Sequence, residues 1–126
     1  MNCGIVVVLY RPDIQHVQSL IDGFIHCEWP IVLVDNSSEK TVLSLSSHCQ
    51  YFHYPENVGI AEAQNVGLNY LFKNGLSHAV VLDQDSLFTV NMAVDLLAQY
   101  HELERSHKIA ALGPSIHCAR PLFMIL

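Results

Sequence analysis

Ala79-Val80-Val81-Leu82-Asp83-Gln84-Asp85-Ser86 is the stretch on which the reading of this chain turns. Four apolar residues, two of them β-branched, predict a strand buried on both faces, and they run directly into two aspartates. Side chains alternate along a strand, so Asp83 and Asp85 are expected on one face at its C-terminal end, where open α/β sheets bind ligands. Two adjacent carboxylates repel unless a cation lies beside them. Hard oxygen donors in that arrangement suit Mg²⁺ or Mn²⁺ bridging to phosphate. A bare Asp-x-Asp also fits a turn or a helix cap, so its neighbours must decide.

Working outward, apolar runs alternate with helical periodicity. Residues 5–9 predict a buried strand, after which Pro12 is placed to open a helix carrying Val17, Leu20, Ile21, Phe24 and Ile25, ending at Pro30. Residues 31–34 predict a second strand that runs into Asp35-Asn36-Ser37-Ser38, followed by a short helix through Val42, Leu43 and Leu45. Residues 50–53 predict a third strand. A helix over 60–74 follows, with Ala61, Leu68, Leu71 and Phe72 facing inward and Gly75 at its C′ position. Beyond the aspartates, residues 90–106 predict a helix through Val94, Leu97, Tyr100 and His101, and residues 109–112 a fifth strand. This order predicts an α/β, Rossmann-like fold: a parallel sheet with helices on both faces.

Composition narrows the functional classes. The 126 residues are 51% hydrophobic and 14% charged, ample for a core and unlike a disordered chain. A net charge of −6 argues against a nucleic-acid surface. It accommodates a phosphorylated ligand only if a metal supplies positive charge. No segment approaches the roughly 18 apolar residues of a membrane span, and the chain is expected to be cytoplasmic, with room for peripheral association at the inner face of a membrane. Cys3, Cys27, Cys49 and Cys118 are too dispersed for zinc-type pairing and are expected to be free thiols. Neither G-x-G-x-x-G nor G-K-[ST] occurs, which removes the dinucleotide and P-loop motifs.

Four pieces stand in order: the strand ending in Tyr10-Arg11-Pro12; Val34-Asp35-Asn36-Ser37-Ser38; Asn57-Val58-Gly59-Ile60-Ala61-Glu62-Ala63-Gln64-Asn65-Val66-Gly67; and Leu82-Asp83-Gln84-Asp85-Ser86. Together they resemble the nucleotide-binding half of family 2 inverting glycosyltransferases, which have the GT-A fold, and most closely the bacterial rhamnosyltransferase branch. The resemblance implies a nucleoside-diphosphate-sugar donor, dTDP-rhamnose or a UDP-sugar, and a carbohydrate or lipid-linked saccharide acceptor in surface polysaccharide biosynthesis. It implies a Mg²⁺ or Mn²⁺ ion on Asp83 and Asp85. Asp35 would accept the N3–H of a pyrimidine, and Tyr10 and Arg11 would flank the base. Asn57 and Gly59, at a loop-to-helix junction, would offer backbone N–H groups to a diphosphate or ribose. Asn65 would reach the ligand from the same helix. Gly67, costly inside a helix by about 1 kcal/mol against Ala, implies close packing on the sheet.

In the family the acceptor-activating carboxylate lies in the second half of the domain, and no acidic residue follows Glu104. The catalytic base is therefore expected beyond Leu126, and residues 1–126 are read as the N-terminal portion of a GT-A domain. The apolar run Leu122-Phe123-Met124-Ile125-Leu126 is expected to be uncovered and to drive self-association. Two alternatives stand beside this reading. A non-catalytic nucleotide-binding or interaction module would share the same half-site. A haloacid-dehalogenase-like phosphatase would share the strand-end Asp-x-Asp, but its motif closes the first strand of the domain, and its downstream lysine and acidic pair have no counterpart here.

Overall fold

The computed structural model describes residues 3–109, 111–112 and the backbone of 123–125. Its elements are β1 (Cys3–Leu9), α1 (Ile14–Gly23), β2 (Ile31–Asp35), β3 (Cys49–His53), α2 (Ile60–Lys73), β4 (His78–Asp83), α3 (Val90–Glu104) and β5 (Phe123–Ile125). They form one sheet in the order β3-β2-β1-β4-β5. The first four strands are parallel, as expected. The fifth is antiparallel to β4 and formed by Phe123–Ile125; of the parallel strand expected over 109–112, residue 110 lies outside the described residues and Leu112 makes an isolated bridge. Ile109 and Leu112 instead pack against the core from its margin.

β1 is the centre of the molecule, buried along its whole length. Alternation sends Cys3, Ile5, Val7 and Leu9 to the face covered by α1 and α3, and Val6 and Val8 to the face covered by α2. Helices therefore lie on both faces, and the β-branched run over residues 5–9 is explained by burial on both sides.

Local chemistry sets the helix ends. Asp13 caps α1 by accepting from the His16 N–H at 3.3 Å, so Pro12 stands just outside the helix. α1 stops at Gly23, well short of Pro30. Phe24 is buried against Trp29 and Phe88, but Ile25 is exposed. Thr89 caps α3, whose buried positions are Ala93, Leu96 and Tyr100, whereas Val94 and His101 face solvent. Gly75 (φ +88°) follows α2 as expected.

The expected helix around Val42 does not form. Val42 is 82% exposed, and Ser44 is drawn to α1 instead: its N–H donates to Gln18 Oε1 at 2.8 Å, and its carbonyl accepts from Gln18 Nε2 at 3.0 Å.

The inward face of α2 is Ala63, Gly67 and Leu71, whereas Ala61 and Phe72 are exposed. Leu71 is buried and Leu68 packs against the same cluster as expected, while the closest contact with the sheet is made by glycine. A Cβ on Gly67 would lie 2.4 Å from Val6 Cγ1. Val6 is β-branched on a buried strand and has little room to rotate.

Gly67→Ala should therefore destabilise the protein by about 1–3 kcal/mol despite the better helix propensity of alanine. Adding Val6→Ala, which vacates the space, should recover part of the loss. Urea unfolding of both variants checks this, and a single variant more stable than the parent would contradict the tight contact.

Candidate functional site

Strand register decides what meets at the rim. Leu9 stands opposite Asp35 and Asp35 opposite His53, while Val8 stands opposite Asp83. The residues that follow these positions are delivered side by side at the C-terminal edge. The chain runs β1-β2-β3 to one side and then crosses back to β4 on the other, so strand order reverses around β1, the usual ligand crevice of open α/β sheets. A cleft of about 450 Å³ opens there. Val8 and Tyr10, Asn36, the Asp83-Gln84-Asp85 turn, and the Asn57, Gly59 and Ile60 entry to α2 line it.

Asp83 ends β4, and the chain then turns at Gln84-Asp85, with the Ser86 N–H donating to Asp83 O at 3.0 Å. Both aspartates reach the cleft as expected, but through a turn rather than strand alternation. Burial, and then the charge of Asp85, hold the Asp83 carboxyl above its ordinary value. Gln84 between them was not singled out by the sequence. Its Oε1 accepts from the Tyr10 N–H at 2.7 Å, and its Nε2 donates to Tyr10 O at 3.0 Å.

Tyr10 is half exposed on the cleft wall, and the Arg11 guanidinium carbon sits 5.2 Å from its ring centroid. Arg11 has a left-handed backbone (φ +44°), and its N–H donates to Ser37 Oγ at 2.8 Å. It lines a neighbouring shelf of about 310 Å³ with Ser37, Ser38, Lys40 and Thr41 rather than the cleft itself.

Asp35 differs from its expected role. It is fully buried and lines neither cavity. Oδ1 accepts the Ser37 N–H at 2.9 Å; Oδ2 accepts the Thr41 N–H at 3.1 Å and a short hydrogen bond from the Tyr51 hydroxyl. Burial alone would raise its pKa, but these donors outweigh it and hold the carboxyl below the ordinary 3.8. Burial and Asp35 push Tyr51 up to about 12, so its hydroxyl stays a donor. In this arrangement Asp35 organises the loop rather than presenting a free carboxylate to a base.

Asn36 does unanticipated work beside it. Its Nδ2 donates to Gly59 O at 3.1 Å and its Oδ1 accepts the Val58 N–H at 3.1 Å, tying the entry of α2 to the end of β2. Asn57 is left-handed (φ +55°), and its Oδ1 accepts the Gly59 N–H at 3.0 Å. Gly59, at the N-cap (φ +87°), supplies no side-chain cap to α2. The N–H groups expected to be open at Asn57 and Gly59 are thus taken, by Tyr54 O at 3.1 Å and by Asn57 itself, while no side chain caps the first turn of α2, whose Ile60 lines the cleft. Asn65 does not join them. It stands two residues, about 200° of helix turn, from each of the sheet-facing Ala63 and Gly67, and is exposed.

On the far side of the turn, His16 Nε2 donates to Ser86 O at 2.7 Å, beside a second cavity of about 400 Å³. Among the described residues no group of three or more His, Cys, Asp and Glu side chains is placed to hold a metal. Cys3, Cys27 and Cys49 are free, with burial pushing the Cys3 thiol up to about 12; Cys118 lies outside the described residues. Among the described residues no helix is long and apolar enough to cross a membrane.

The fold is matched by a solved structure. The crystal structure of a candidate nucleotide-diphospho-sugar transferase from Desulfovibrio desulfuricans G20 superposes with a TM-score of 0.67 at 10% identity, over 99% of this chain and 63% of that one. In sequence, the chain is 32% identical over 119 residues to the dTDP-rhamnosyl transferase RfbF of Shigella flexneri, a match that takes in 90% of this chain. It spans about 39% of that relative's length. No protein-family model matches the chain. The glycosyltransferase resemblance read from the four motifs is borne out by this relative, and the α/β fold by the structural match.

Removing the Tyr51 hydroxyl should expose the role of Asp35. A carboxyl whose pKa is depressed on folding contributes stability above its unfolded value, here 3.8, and loses it as pH falls through the lower folded value. Tyr51→Phe should cost about 1–3 kcal/mol at pH 7, with the gap to the parent narrowing below pH 3.8. Urea midpoints at neutral and acid pH measure this; a pH-independent gap would mean that the phenol acts by packing alone.

Proposed function

We propose that this chain is the donor-binding half of an inverting glycosyltransferase that uses a nucleoside-diphosphate sugar, with dTDP-L-rhamnose as donor. The observation that carries the proposal is one cleft, at the strand-order reversal, joining two carboxylates, an uncapped helix N-terminus and an exposed tyrosine ring. The name of the Shigella flexneri relative supports the choice of sugar.

The diphosphate is assigned to the α2 entry, where the backbone N–H groups after Gly59 meet negative charge favourably. The base and ribose are assigned to Tyr10 and the adjoining shelf, where Arg11, Ser37 and Thr41 stand on the loop that Asp35 holds. Asp83 and Asp85 are assigned to a Mg²⁺ or Mn²⁺ ion. The donors fit: both are hard oxygens, and a shared cation would offset both the burial and the like charge that raise the Asp83 pKa. Two protein ligands leave positions for phosphate oxygens and water. When bound, the ion would neutralise charge on the leaving diphosphate. The acceptor is proposed to be a carbohydrate or lipid-linked saccharide of surface polysaccharide biosynthesis, met on the cytoplasmic side. The carboxylate that activates it is assigned to the portion of the relative that this chain does not match. Self-association is proposed through β5, which ends the sheet among the described residues.

The test is calorimetry with dTDP and UDP, with and without Mn²⁺. Metal should tighten nucleotide binding at least tenfold, pyrimidine diphosphates should outbind ADP and GDP, and Asp85→Asn should abolish most of the metal effect. Equal nucleotide affinity with and without metal would overturn the metal assignment. Indifference to the base would overturn the base shelf.

A further inference from the structure

We infer that Gln84, the residue between the two aspartates, is a positioning residue that holds the carboxylate turn in register with the end of β1. The inference deepens the functional reading above and rests on it. The turn itself has one backbone closure, the Ser86 N–H to Asp83 O bond. Gln84 anchors it from outside, because its side-chain amide pairs with both polar backbone groups of Tyr10, at 2.7 and 3.0 Å. These two residues are 74 apart in sequence. The pairing extends the β1–β4 ladder by one side-chain rung past the last paired residues, Val8 and Asp83.

The anchor also reaches beyond β4. Tyr10 leads into Arg11, whose N–H donates to Ser37 Oγ, and the Ser37 carbonyl accepts from His53 Nε2 at 2.8 Å. A hydrogen-bonded rim thus crosses the ends of β4, β1, β2 and β3, and Gln84 joins it to the carboxylate turn. A primary amide suits this position. It offers a donor and an acceptor in one plane, which a carboxylate or an amine cannot do. Its own charge is zero, so it adds no further repulsion between Asp83 and Asp85.

Two variants separate positioning from general support. Gln84→Met keeps the length of the side chain and removes both hydrogen bonds. Gln84→Glu keeps the acceptor for the Tyr10 N–H and sets a carboxylate against the Tyr10 carbonyl. Amide hydrogen exchange of Ser86 reads the order of the turn without any ligand. Calorimetry with dTDP reads the ratio of affinities with and without Mn²⁺. In both variants Ser86 exchange should quicken, and dTDP affinity should fall about tenfold more with Mn²⁺ than without it. Unchanged Ser86 exchange would overturn the inference. So would an unchanged ratio, or an equal loss with and without metal, which is the mark of a merely structural residue. If unmodified protein shows no metal-dependent gain, the functional reading fails and takes the metal half of this inference with it. Ser86 exchange then still decides whether Gln84 orders the turn.

Discussion

A carboxylate with no solvent contact must find its hydrogen bonds inside the protein, and the end of β2 is built around that requirement. Burying an unpaired charge costs several kcal/mol, so Asp35 collects the Ser37 and Thr41 amides and the Tyr51 hydroxyl. Those bonds fold the loop after β2 back over the strand and join it to β3. With the loop held, Ser37 can receive the Arg11 amide, and Arg11 can keep the left-handed backbone that sets its guanidinium against Tyr10. The geometry of one wall of the cleft descends from one buried charge.

The other acidic pair obeys the opposite logic. Asp83 and Asp85 stand at the end of β4, where partial burial first and the charge of Asp85 second raise the proton affinity of Asp83. Asp35 is satisfied by the fold and stabilises it; Asp83 and Asp85 carry a repulsion that the fold leaves open to a ligand. Functional sites are where such local conflict is tolerated. The sheet supplies the rigid base for both, because β1 is buried on both faces and paired on both sides.

The α2 helix links the two halves of this arrangement. Gly67 lets it sit directly on Val6, which brings its N-terminal turn level with the rim. Asn36 then fixes the height of that turn through Val58 and Gly59. The close approach of helix to sheet and the placing of backbone N–H groups at the cleft are consequences of the same packing.

How much of this was legible in the chain follows from the range of the forces involved. Alternation of β-branched runs with helical stretches determined the α/β class, the four parallel strands and the strand-end position of Asp83 and Asp85, because burial patterns are local and periodic. Gly75 and Gly67 were readable for the same reason: each breaks a local rule that only a helix terminus or close packing excuses. Contacts between residues distant in sequence were not readable. Nothing near Gln84 announces a partner at Tyr10, and nothing near Asp35 announces Tyr51. On α2 the expectation held for Leu71 and Leu68 and failed for Ala61 and Phe72, which face solvent. The segment around Val42 was misjudged because Gln18 claims the backbone groups of Ser44. Asn65 was placed beside the ligand by its spacing from Asn57, and it stands exposed on the side of α2 away from the sheet. Periodicity determined which elements exist. Only the tertiary structure decided which side chains close the rim, since hydrogen bonds across strands depend on register and loop path, and neither is written in any local stretch.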